Sequence, residues 1–191
     1  MFMKNLIFKI IVIGDVAVGK TSLCNRFTQN RFNNVHSSTM VVNFRTKLLL
    51  VGDEYIKLHL WDTAGTETFR SVTRSYYRGS VAALLVYDIT SRETFSHVVR
   101  WLEDTYNHGN KNIKVLLVGN KSDLETQRCV STEEGINFAV DNKIDFIETS
   151  AKEGNNVKMI EHGIRLNNIY ETENQDREEN IKKNSQKKCC Y

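Results

Sequence analysis

Three short stretches of the chain are almost continuously apolar, at residues 8–13, 81–87 and 113–118. Apolar runs of this length, without alternation, are typical of strands that are buried on both faces, as in a parallel sheet. Between these runs, apolar residues recur at the i, i+3, i+4, i+7 spacing of a helix face. This spacing predicts one helix from Phe95, Val98, Val99, Leu102 and Tyr106, and a second from Val157, Ile160 and Ile164.

Residues 42–60 alternate between apolar and polar instead. In the first half, Val42, Phe44, Thr46 and Leu48 alternate with Asn43, Arg45 and Lys47, and in the second half, Ile56, Leu58 and Leu60 alternate with Lys57 and His59. The alternation predicts two strands with one face in water, and Gly52 and Asp53 between them predict the turn of an antiparallel hairpin. Strands that alternate with helices predict a doubly wound α/β sheet, here with one antiparallel edge strand.

The apolar pattern ends near residue 172. The last twenty residues are polar and charged, and Ile181 is the only aliphatic side chain among them. A segment of this composition cannot bury enough apolar surface to fold. We therefore expect one domain over residues 1–171, which suits a chain of 191 residues, and a flexible tail over residues 172–191.

Composition narrows the setting of this domain. A net charge of +3 is too small to indicate nucleic acid as a partner. Of the four cysteines, Cys24 and Cys129 are isolated and the other two adjoin each other near the end, so a reducing compartment is expected rather than a disulfide framework. No apolar run approaches the roughly 18 residues of a membrane span, so membrane contact would need an added anchor.

The first segment with recognisable chemistry is residues 14–21, which read G-D-V-A-V-G-K-T and follow a predicted strand. This pattern predicts a phosphate-binding loop, in which backbone N–H groups at a helix N-terminus point at phosphate oxygens. Lys20 would add a positive charge near the β- and γ-phosphates, and the Thr21 hydroxyl is suited to Mg²⁺. The alternative is a chance glycine turn before a helix.

A second motif, Asn120-Lys121-Ser122-Asp123, follows the third apolar run. The Asp123 carboxylate can accept two hydrogen bonds from the N1–H and amino group of guanine, a pair of donors that adenine lacks. This favours guanine over adenine, whereas the alternative is a polar loop that caps the next helix. Residues 148–152 come after another strand-like stretch, and their backbone can contact the base from its other side.

The predicted hairpin ends in Trp61-Asp62-Thr63-Ala64-Gly65. Asp62 is placed to hold Mg²⁺, through water, as the acidic residue that phosphate-loop enzymes carry on this strand. The Gly65 N–H can meet a γ-phosphate. The alternative for Asp62 is a helix N-cap.

At this point the chain resembles the Ras superfamily and, within it, the Rab family, over roughly residues 8–170. The superfamily motifs are residues 14–21, 61–65, 120–123 and 150–152, and the Rab-like ones are residues 57–61, 76–79 and 85–90. The resemblance implies the P-loop GTPase fold: a six-stranded, mostly parallel sheet with one antiparallel strand and helices on both faces.

The resemblance also implies roles for individual residues. Thr39 would cap Mg²⁺ and sense the γ-phosphate from a first switch over residues 30–40, Phe32 would pack against the guanine, and a second switch would span residues 64–78. The expected catalytic group is Lys20, Thr39, Gly65 and Thr66, and the Mg²⁺ ligands are Thr21, Thr39 and Asp62. The expected GTP/GDP contacts are Asp15, Val16, Ala17, Val18, Gly19, Lys20, Thr21, Ser22, Phe32, Thr39, Gly65, Asn120, Lys121, Asp123, Ser150, Ala151 and Lys152.

Three departures from the family pattern concern hydrolysis and partners. Thr66 stands where the family has the glutamine that orients the attacking water, and Ala17 stands where a glycine is common. Both predict slow intrinsic hydrolysis. Some Rab-activating proteins supply a glutamine themselves, so a cycling enzyme, a long-lived GTP-bound state and a tolerated substitution all stay open. Val41 replaces a glycine in the first switch, so effectors cannot be carried over from other Rabs.

The chain ends in Cys189-Cys190-Tyr191, which is not a C-a-a-X box because position 188 is Lys. It resembles Rab-type ends that carry two geranylgeranyl groups, and two lipids anchor a protein stably where one does not. The lysines nearby, Lys182, Lys183, Lys187 and Lys188, would add attraction to anionic lipid. The alternatives are an unmodified cysteine pair and a merely solvated tail.

The resemblance thus implies a GTP/GDP switch of vesicle trafficking. It would be a monomer in the cytoplasm, reversibly attached to the cytosolic face of an endomembrane. Its partners would be an exchange factor, a GTPase-activating protein, a dissociation inhibitor, a prenylation escort and effectors. A GTP-loaded scaffold that hardly hydrolyses is the second hypothesis. A phosphate-loop ATPase or nucleotide kinase is the third, and residues 120–123 disfavour it.

Overall fold

The computed structural model describes residues 6–33, 43–51, 54–64 and 76–164. Six strands form one sheet in the order β2-β3-β1-β4-β5-β6. The strands are β1 (Leu6–Ile13), β2 (Asn43–Val51), β3 (Glu54–Asp62), β4 (Ala82–Asp88), β5 (Lys114–Asn120) and β6 (Asp145–Thr149). Among the described strands, β2 and β3 pair antiparallel, and the other four pairings are parallel. The predicted mostly parallel sheet of six strands is confirmed.

Helices connect the strands. They are α1 (Lys20–Gln29), α2 (Arg92–Ser96), α3 (Val98–His108), α4 (Thr132–Asp141) and α5 (Ile160–Gly163), with 3₁₀ turns at Ser122–Gln127 and Val157–Met159. Helix α4 begins with a capping box, in which Ser131 and Glu134 satisfy each other's backbone N–H groups. Among the described helices, none has the length and apolar character needed to traverse a bilayer.

The sheet has a hydrophobic core on each face. Alternate residues of β1 divide between the two cores: Leu6, Phe8, Ile10 and Val12 pack with α1 and α5, whereas Ile11 and Ile13 pack with α3 and α4. A strand that is buried on both faces has apolar residues at successive positions, which is why residues 8–13 show no alternation. Helices on both faces are therefore confirmed.

The predicted helix face over residues 95–106 is wrong in part. The segment forms two helices, α2 and α3, and in α3 the side chains of Val99 and Tyr106 are about half exposed. The buried residues of α3 are Val98, Trp101, Leu102 and Thr105. The buried face of α3 therefore includes Trp101 and Thr105 in place of Val99 and Tyr106. Because α3 starts afresh after His97, its buried face does not continue that of α2. The helix predicted from Val157, Ile160 and Ile164 is a 3₁₀ turn followed by the single turn of α5, and all three side chains are buried.

The predicted hairpin is confirmed, but three apolar residues of β2 point outward, while Leu49 packs against the core. Phe44, Leu48 and Leu50 are each at least half exposed. Lys47 lies on the inner face, with its Nζ 2.5 Å from Glu161 and 3.9 Å from the centre of the Phe27 ring. A long basic side chain can cover apolar surface with its methylenes and still keep its charge paired, so it can occupy the inner face.

Candidate functional site

The site lies along one edge of the sheet. Because β1, β3, β4, β5 and β6 run parallel, the segments that follow them all leave from the same edge. The strand order also changes direction there, with β3 on one side of β1 and β4 on the other. Open α/β sheets bind ligands at such a switch point.

Residues 14–19 join β1 to α1 as a loop pressed against its neighbours. A Cβ atom at Gly14 would lie 2.1 Å from the Val86 carbonyl oxygen, and one at Gly19 would lie 2.4 Å from Asn120 Nδ2. Gly14, Ala17 and Gly19 all have positive φ, at 134°, 64° and 94°. The two glycines are therefore required sterically, while Ala17 holds a left-handed conformation that glycine adopts more easily.

Helix α1 begins at this loop without a side-chain cap. Its N-cap is Gly19, which has no side chain to accept a hydrogen bond, and no acidic residue lies in the first turn. The N–H groups at the start of a helix then point toward the loop with nothing from the helix itself to neutralise them. A helix N-terminus of this kind, preceded by a glycine-bearing loop, suits a phosphate group.

Lys20, the first residue of α1, turns back into the loop. Its Nζ donates to the carbonyl oxygens of Gly14 and Asp15, at 2.8 and 2.5 Å. The residue is 6% exposed. Burial lowers the pKa of Lys20 to about 8, against the nearby carboxylates of Asp62 and Asp15, which raise it. A bound phosphate would favour the charged ammonium still further.

Asp62 ends β3 beside this lysine and is fully buried. Neither of its carboxylate oxygens has a hydrogen-bond partner of good geometry among the described residues. Burial raises the pKa of Asp62, while the Thr21 hydroxyl and the charges of Lys20 and Arg45 oppose this. A buried carboxylate with spare lone pairs and a neighbouring hydroxyl are hard oxygen donors, so these residues fit a magnesium ion.

Asn120 connects the phosphate loop to the segment after β6. Its Nδ2 donates to the Val18 carbonyl at 2.9 Å, and its Oδ1 accepts from Thr149 Oγ1 and the Ala151 N–H, both at 3.2 Å. The side chain is 1% exposed. Asn120 therefore has its amide occupied in joining two loops.

Asp123 is held by the loop after β6, which contains Ser150 and Lys152. Ser150 Oγ donates to Asp123 Oδ1 at 2.6 Å, and Lys152 Nζ lies 4.0 Å from Oδ2. The Asp123 side chain is 6% exposed. The carboxylate that was predicted to select guanine is thus fixed in place by the chain, with its second oxygen left for a ligand.

Lys121 stands between these two residues in a left-handed conformation, with φ at 70°. Its Nζ pairs with Asp88 Oδ2 at 2.6 Å, at the end of β4. Asp88 Oδ1 accepts in turn from the N–H and hydroxyl of Thr90, at 2.9 and 2.7 Å. Sequence reasoning missed Asp88, although its place at the end of a buried strand was a signal that it belonged to this edge.

Arg26 is a second supporting residue that sequence reasoning missed. Its Nε donates to the Ala151 carbonyl at 2.9 Å, and its Nη2 donates to the Lys152 carbonyl at 2.5 Å. It thereby joins α1 to the loop after β6. A single arginine within a helix gives no sequence signal for such a contact. Phe32, three residues beyond α1, packs against the core next to α1.

Some predicted site residues lie outside the described part of the chain: Thr39, Gly65, Thr66, Cys189 and Cys190. Of the others, Phe32 packs against the core. The phosphate loop, Asn120, Asp123 and residues 150–152 are linked by hydrogen bonds of Lys20, Asn120 and Ser150, and Asp62 is close enough to Lys20 to raise its pKa. Val16 and Ala17 of the phosphate loop are exposed, Val16 at 48%.

Comparison with protein families matches residues 9–166 to the model described as Ras family. The matched region includes the phosphate loop, Asp62, residues 120–123 and residues 150–152. It covers well over half of the chain.

Proposed function

The chain belongs to the Ras family of small GTPases, which bind guanine nucleotide with Mg²⁺ and hydrolyse GTP, and we propose that it acts as a Rab-type switch in vesicle trafficking. In this role it alternates between GDP- and GTP-bound forms on the cytosolic face of an endomembrane.

The main support is that one buried side chain, Asn120, joins the phosphate loop to the loop that holds Asp123. A phosphate-binding group and a base-selecting carboxylate are then fixed relative to each other, as a nucleotide requires. Lys20 and the loop N–H groups stabilise charge on the phosphates. Thr21, Asp62 and, from the resemblance, Thr39 would hold Mg²⁺, which would supply positive charge against the phosphates.

Slow hydrolysis is the finer part of this proposal. Thr66 lacks the amide that would orient the attacking water, and Ala17 places a methyl group where a glycine is common. Ras-type enzymes that have the glutamine turn over at only roughly 10⁻⁴ s⁻¹ unaided. The activating protein that completes the cycle would then have to supply the missing group.

Single-turnover GTP hydrolysis tests this, with wild type beside Thr66→Gln and with Thr66→Ala as the matched control. We expect Thr66→Gln to be clearly faster, and Thr66→Ala to stay near wild type because neither side chain carries an amide. Equal rates for all three proteins would contradict a restraining role of Thr66.

A GTP-loaded scaffold that hardly hydrolyses is the second candidate. Thr66 favours it, and so does Ala17, which adds a methyl group to the phosphate loop where a glycine is common. The nucleotide extracted from protein purified out of cells distinguishes the two. Mostly GTP would support the scaffold, whereas mostly GDP would support the cycling switch.

Membrane attachment is proposed from Cys189 and Cys190, as two geranylgeranyl sites. The double variant Cys189→Ser with Cys190→Ser should be soluble in cells, while Cys129→Ser, which alters an exposed cysteine of the domain, should fractionate like wild type. Persistent membrane association of the double variant would contradict the anchor.

Effectors would dock on the outer face of the β2–β3 hairpin. Phe44, Leu48, Leu50 and Tyr55 are each at least half exposed there. Apolar side chains that gather on one exposed face mark a protein contact more often than chance. Val41, two residues before β2 in the sequence, departs from the family pattern, so the identity of the effectors does not follow from other Rabs.

A further inference from the structure

We propose that Asp15 is a positioning residue of the nucleotide site: helix α3 holds its carboxylate, and its backbone carbonyl in turn holds Lys20. This rests on the proposed function, since Lys20 matters as a phosphate ligand. It assigns a role to His97 and Trp101, which lie outside every motif of the sequence.

The carboxylate of Asp15 has a separate partner on each oxygen. Trp101 Nε1 donates to Oδ1 at 2.8 Å, and His97 Nδ1 lies 2.6 Å from Oδ2. His97 is the N-cap of α3 and Trp101 is four residues further along, so both side chains project from the same face of the helix. Two partners from one rigid helix fix the orientation of the carboxylate as well as its position.

The backbone of the same residue faces the other way, toward Lys20. Asp15 O accepts from Lys20 Nζ at 2.5 Å, and Gly14 O accepts from it at 2.8 Å. A continuous series of hydrogen bonds therefore runs from α3, through the Asp15 side chain and backbone, to the ammonium group. A shift of Asp15 would move one of the two carbonyls that hold Lys20.

An acidic residue in a loop that surrounds phosphates needs a reason, because its charge repels the ligand. Here the carboxylate is turned away from the loop interior and onto α3. The Trp101 N–H stabilises that charge, and His97 does so fully when its ring is protonated. The repulsion is thereby reduced, and Asp15 ties down a loop whose next residue, Val16, is 48% exposed.

The helix does not need these contacts for its own docking. Val98, Trp101 and Leu102 are each at most 4% exposed in the core between α3 and the sheet. The loop, by contrast, has two consecutive exposed residues, Val16 and Ala17. The hydrogen bonds from α3 therefore constrain the loop more than they constrain the helix.

Release of mant-GDP into excess GDP, in Mg²⁺ buffer, tests the proposal with matched variants. Trp101→Phe keeps a ring in the core and removes the N–H donor. His97→Leu removes the other partner, while His97→Asn places an amide nitrogen close to where Nδ1 stands. Val99→Ala is the control, because that side chain is on the same helix but 47% exposed.

We expect release to be about tenfold faster in Trp101→Phe and in His97→Leu, near the wild-type rate in His97→Asn, and unchanged in Val99→Ala. Equal rates in all the proteins, with mant-GDP still retained, would overturn this inference alone. Failure of wild type to retain mant-GDP would overturn the proposed function and the inference with it. A His97→Asn rate as fast as that of His97→Leu would overturn the donor role of His97.

A spectroscopic readout separates this role from a general loosening of the fold. The chain has two tryptophans, Trp61 and Trp101, so its NMR spectrum holds two indole N–H signals. Trp101→Phe assigns them by removing one. In Asp15→Asn the Trp101 signal should move upfield as its charged acceptor is lost, while the Trp61 signal stays in place. An unmoved Trp101 signal would show that Asp15 is not its acceptor in solution.

Discussion

Asp62 and Asp123 are both buried carboxylates at the same edge of the sheet, but the chain treats them differently. Asp123 receives a hydrogen bond from Ser150 at 2.6 Å, whereas neither oxygen of Asp62 has a partner of good geometry in the described structure. The base side of the site is therefore built by the protein alone. The metal side keeps a buried carboxylate that Thr21, Lys20 and Arg45 stabilise only in part, so a bound ion would stabilise it further.

The same contrast extends to the cations. Lys152 lies 4.0 Å from Asp123 and its side chain is more than half exposed, whereas Lys20 is buried and bonded to two carbonyls. A buried ammonium without an anionic partner in contact is costly, and a phosphate supplies that partner. We infer that ligand binding stabilises the phosphate and metal side more than the base side.

Lys20→Ala should have the largest effect, because it removes the buried charge that faces the phosphates. We expect affinity for mant-GDP to fall at least about 100-fold, in line with the roughly 3–5 kcal/mol lost when one partner of a buried ion pair is removed. The nucleotide-free fold should persist, since the variant also removes the cost of burying the ammonium. Fluorescence titration together with circular dichroism checks both points. Retained affinity would contradict the role of Lys20.

Asn120→Ala should come next, because this residue joins the two sides. The variant leaves Val18 O, Thr149 Oγ1 and the Ala151 N–H without their partner. We expect a loss of about 2–4 kcal/mol in the free energy of unfolding, measured in urea.

The matched control is Asn142→Ala. The Asn142 amide also donates to a backbone carbonyl, that of Phe138 at 2.8 Å, but it is exposed. Its loss should cost well under about 1 kcal/mol. Similar losses for the two variants would mean that Asn120 does not join the loops in solution.

Asp62→Asn tests, through the pH dependence of stability, whether burial of this carboxylate is costly without a bound ion. Burial raises the pKa of Asp62 in the folded state, so the folded protein holds this proton more tightly than the unfolded chain does. Stability is then lost as pH rises through the raised pKa. At pH 7, without nucleotide or metal, Asp62→Asn should be more stable than wild type by about 1 kcal/mol.

The difference should close as pH is lowered past the raised pKa, and wild type should gain more than the variant from Mg²⁺ with GDP. Urea unfolding with EDTA, and with Mg²⁺ and GDP, measures both. A wild type that is the more stable protein at every pH without metal would contradict the assignment of Asp62 as a carboxylate that awaits an ion.

Ala17→Gly should have the smallest effect. It tests whether Ala17, unlike the sterically required Gly14 and Gly19, merely tolerates its left-handed conformation. A left-handed residue other than glycine costs roughly 1–2 kcal/mol, against roughly 0.4–1 kcal/mol for the added freedom of glycine in the unfolded chain. We expect the free energy of unfolding, measured by thermal unfolding, to rise by less than about 1 kcal/mol. Lys143→Gly, at an exposed position with φ of 55°, is the control and should change stability similarly. A clear loss in Ala17→Gly alone would mean that its methyl group packs in the site.

Much of this architecture could be predicted from the sequence, because the strands at residues 82–88 and 114–120 are buried on both faces and so have continuous apolar runs. The phosphate loop and residues 120–123 could also be predicted from the sequence. Backbone geometry fixes the residue types of the former, and base recognition fixes those of the latter. The face of α3 was harder to predict. It depends on the break at His97, and its buried Trp101 and Thr105 do not fit an aliphatic pattern.

Contacts between distant segments could not be predicted. Arg26 meets Ala151 across 125 positions of sequence, and Trp101 meets Asp15 across 86. Each depends on two side chains that have no local pattern in common. The position of Lys47 on the inner face of the hairpin could not be predicted either, because its partners Glu161 and Phe27 lie on two other elements.

The most direct test of a guanine-selective site is retention of mant-GDP, mant-ADP and mant-XDP by wild type and by Asp123→Asn. Wild type should retain mant-GDP at least about 100-fold better than mant-ADP, because adenine offers Asp123 no pair of donors. Asp123→Asn should lose that preference and favour the xanthine nucleotide, whose carbonyl can accept from the new amide. Comparable retention of mant-ADP by wild type, or an unchanged guanine preference in Asp123→Asn, would contradict the assignment of Asp123 and with it the guanine-nucleotide switch.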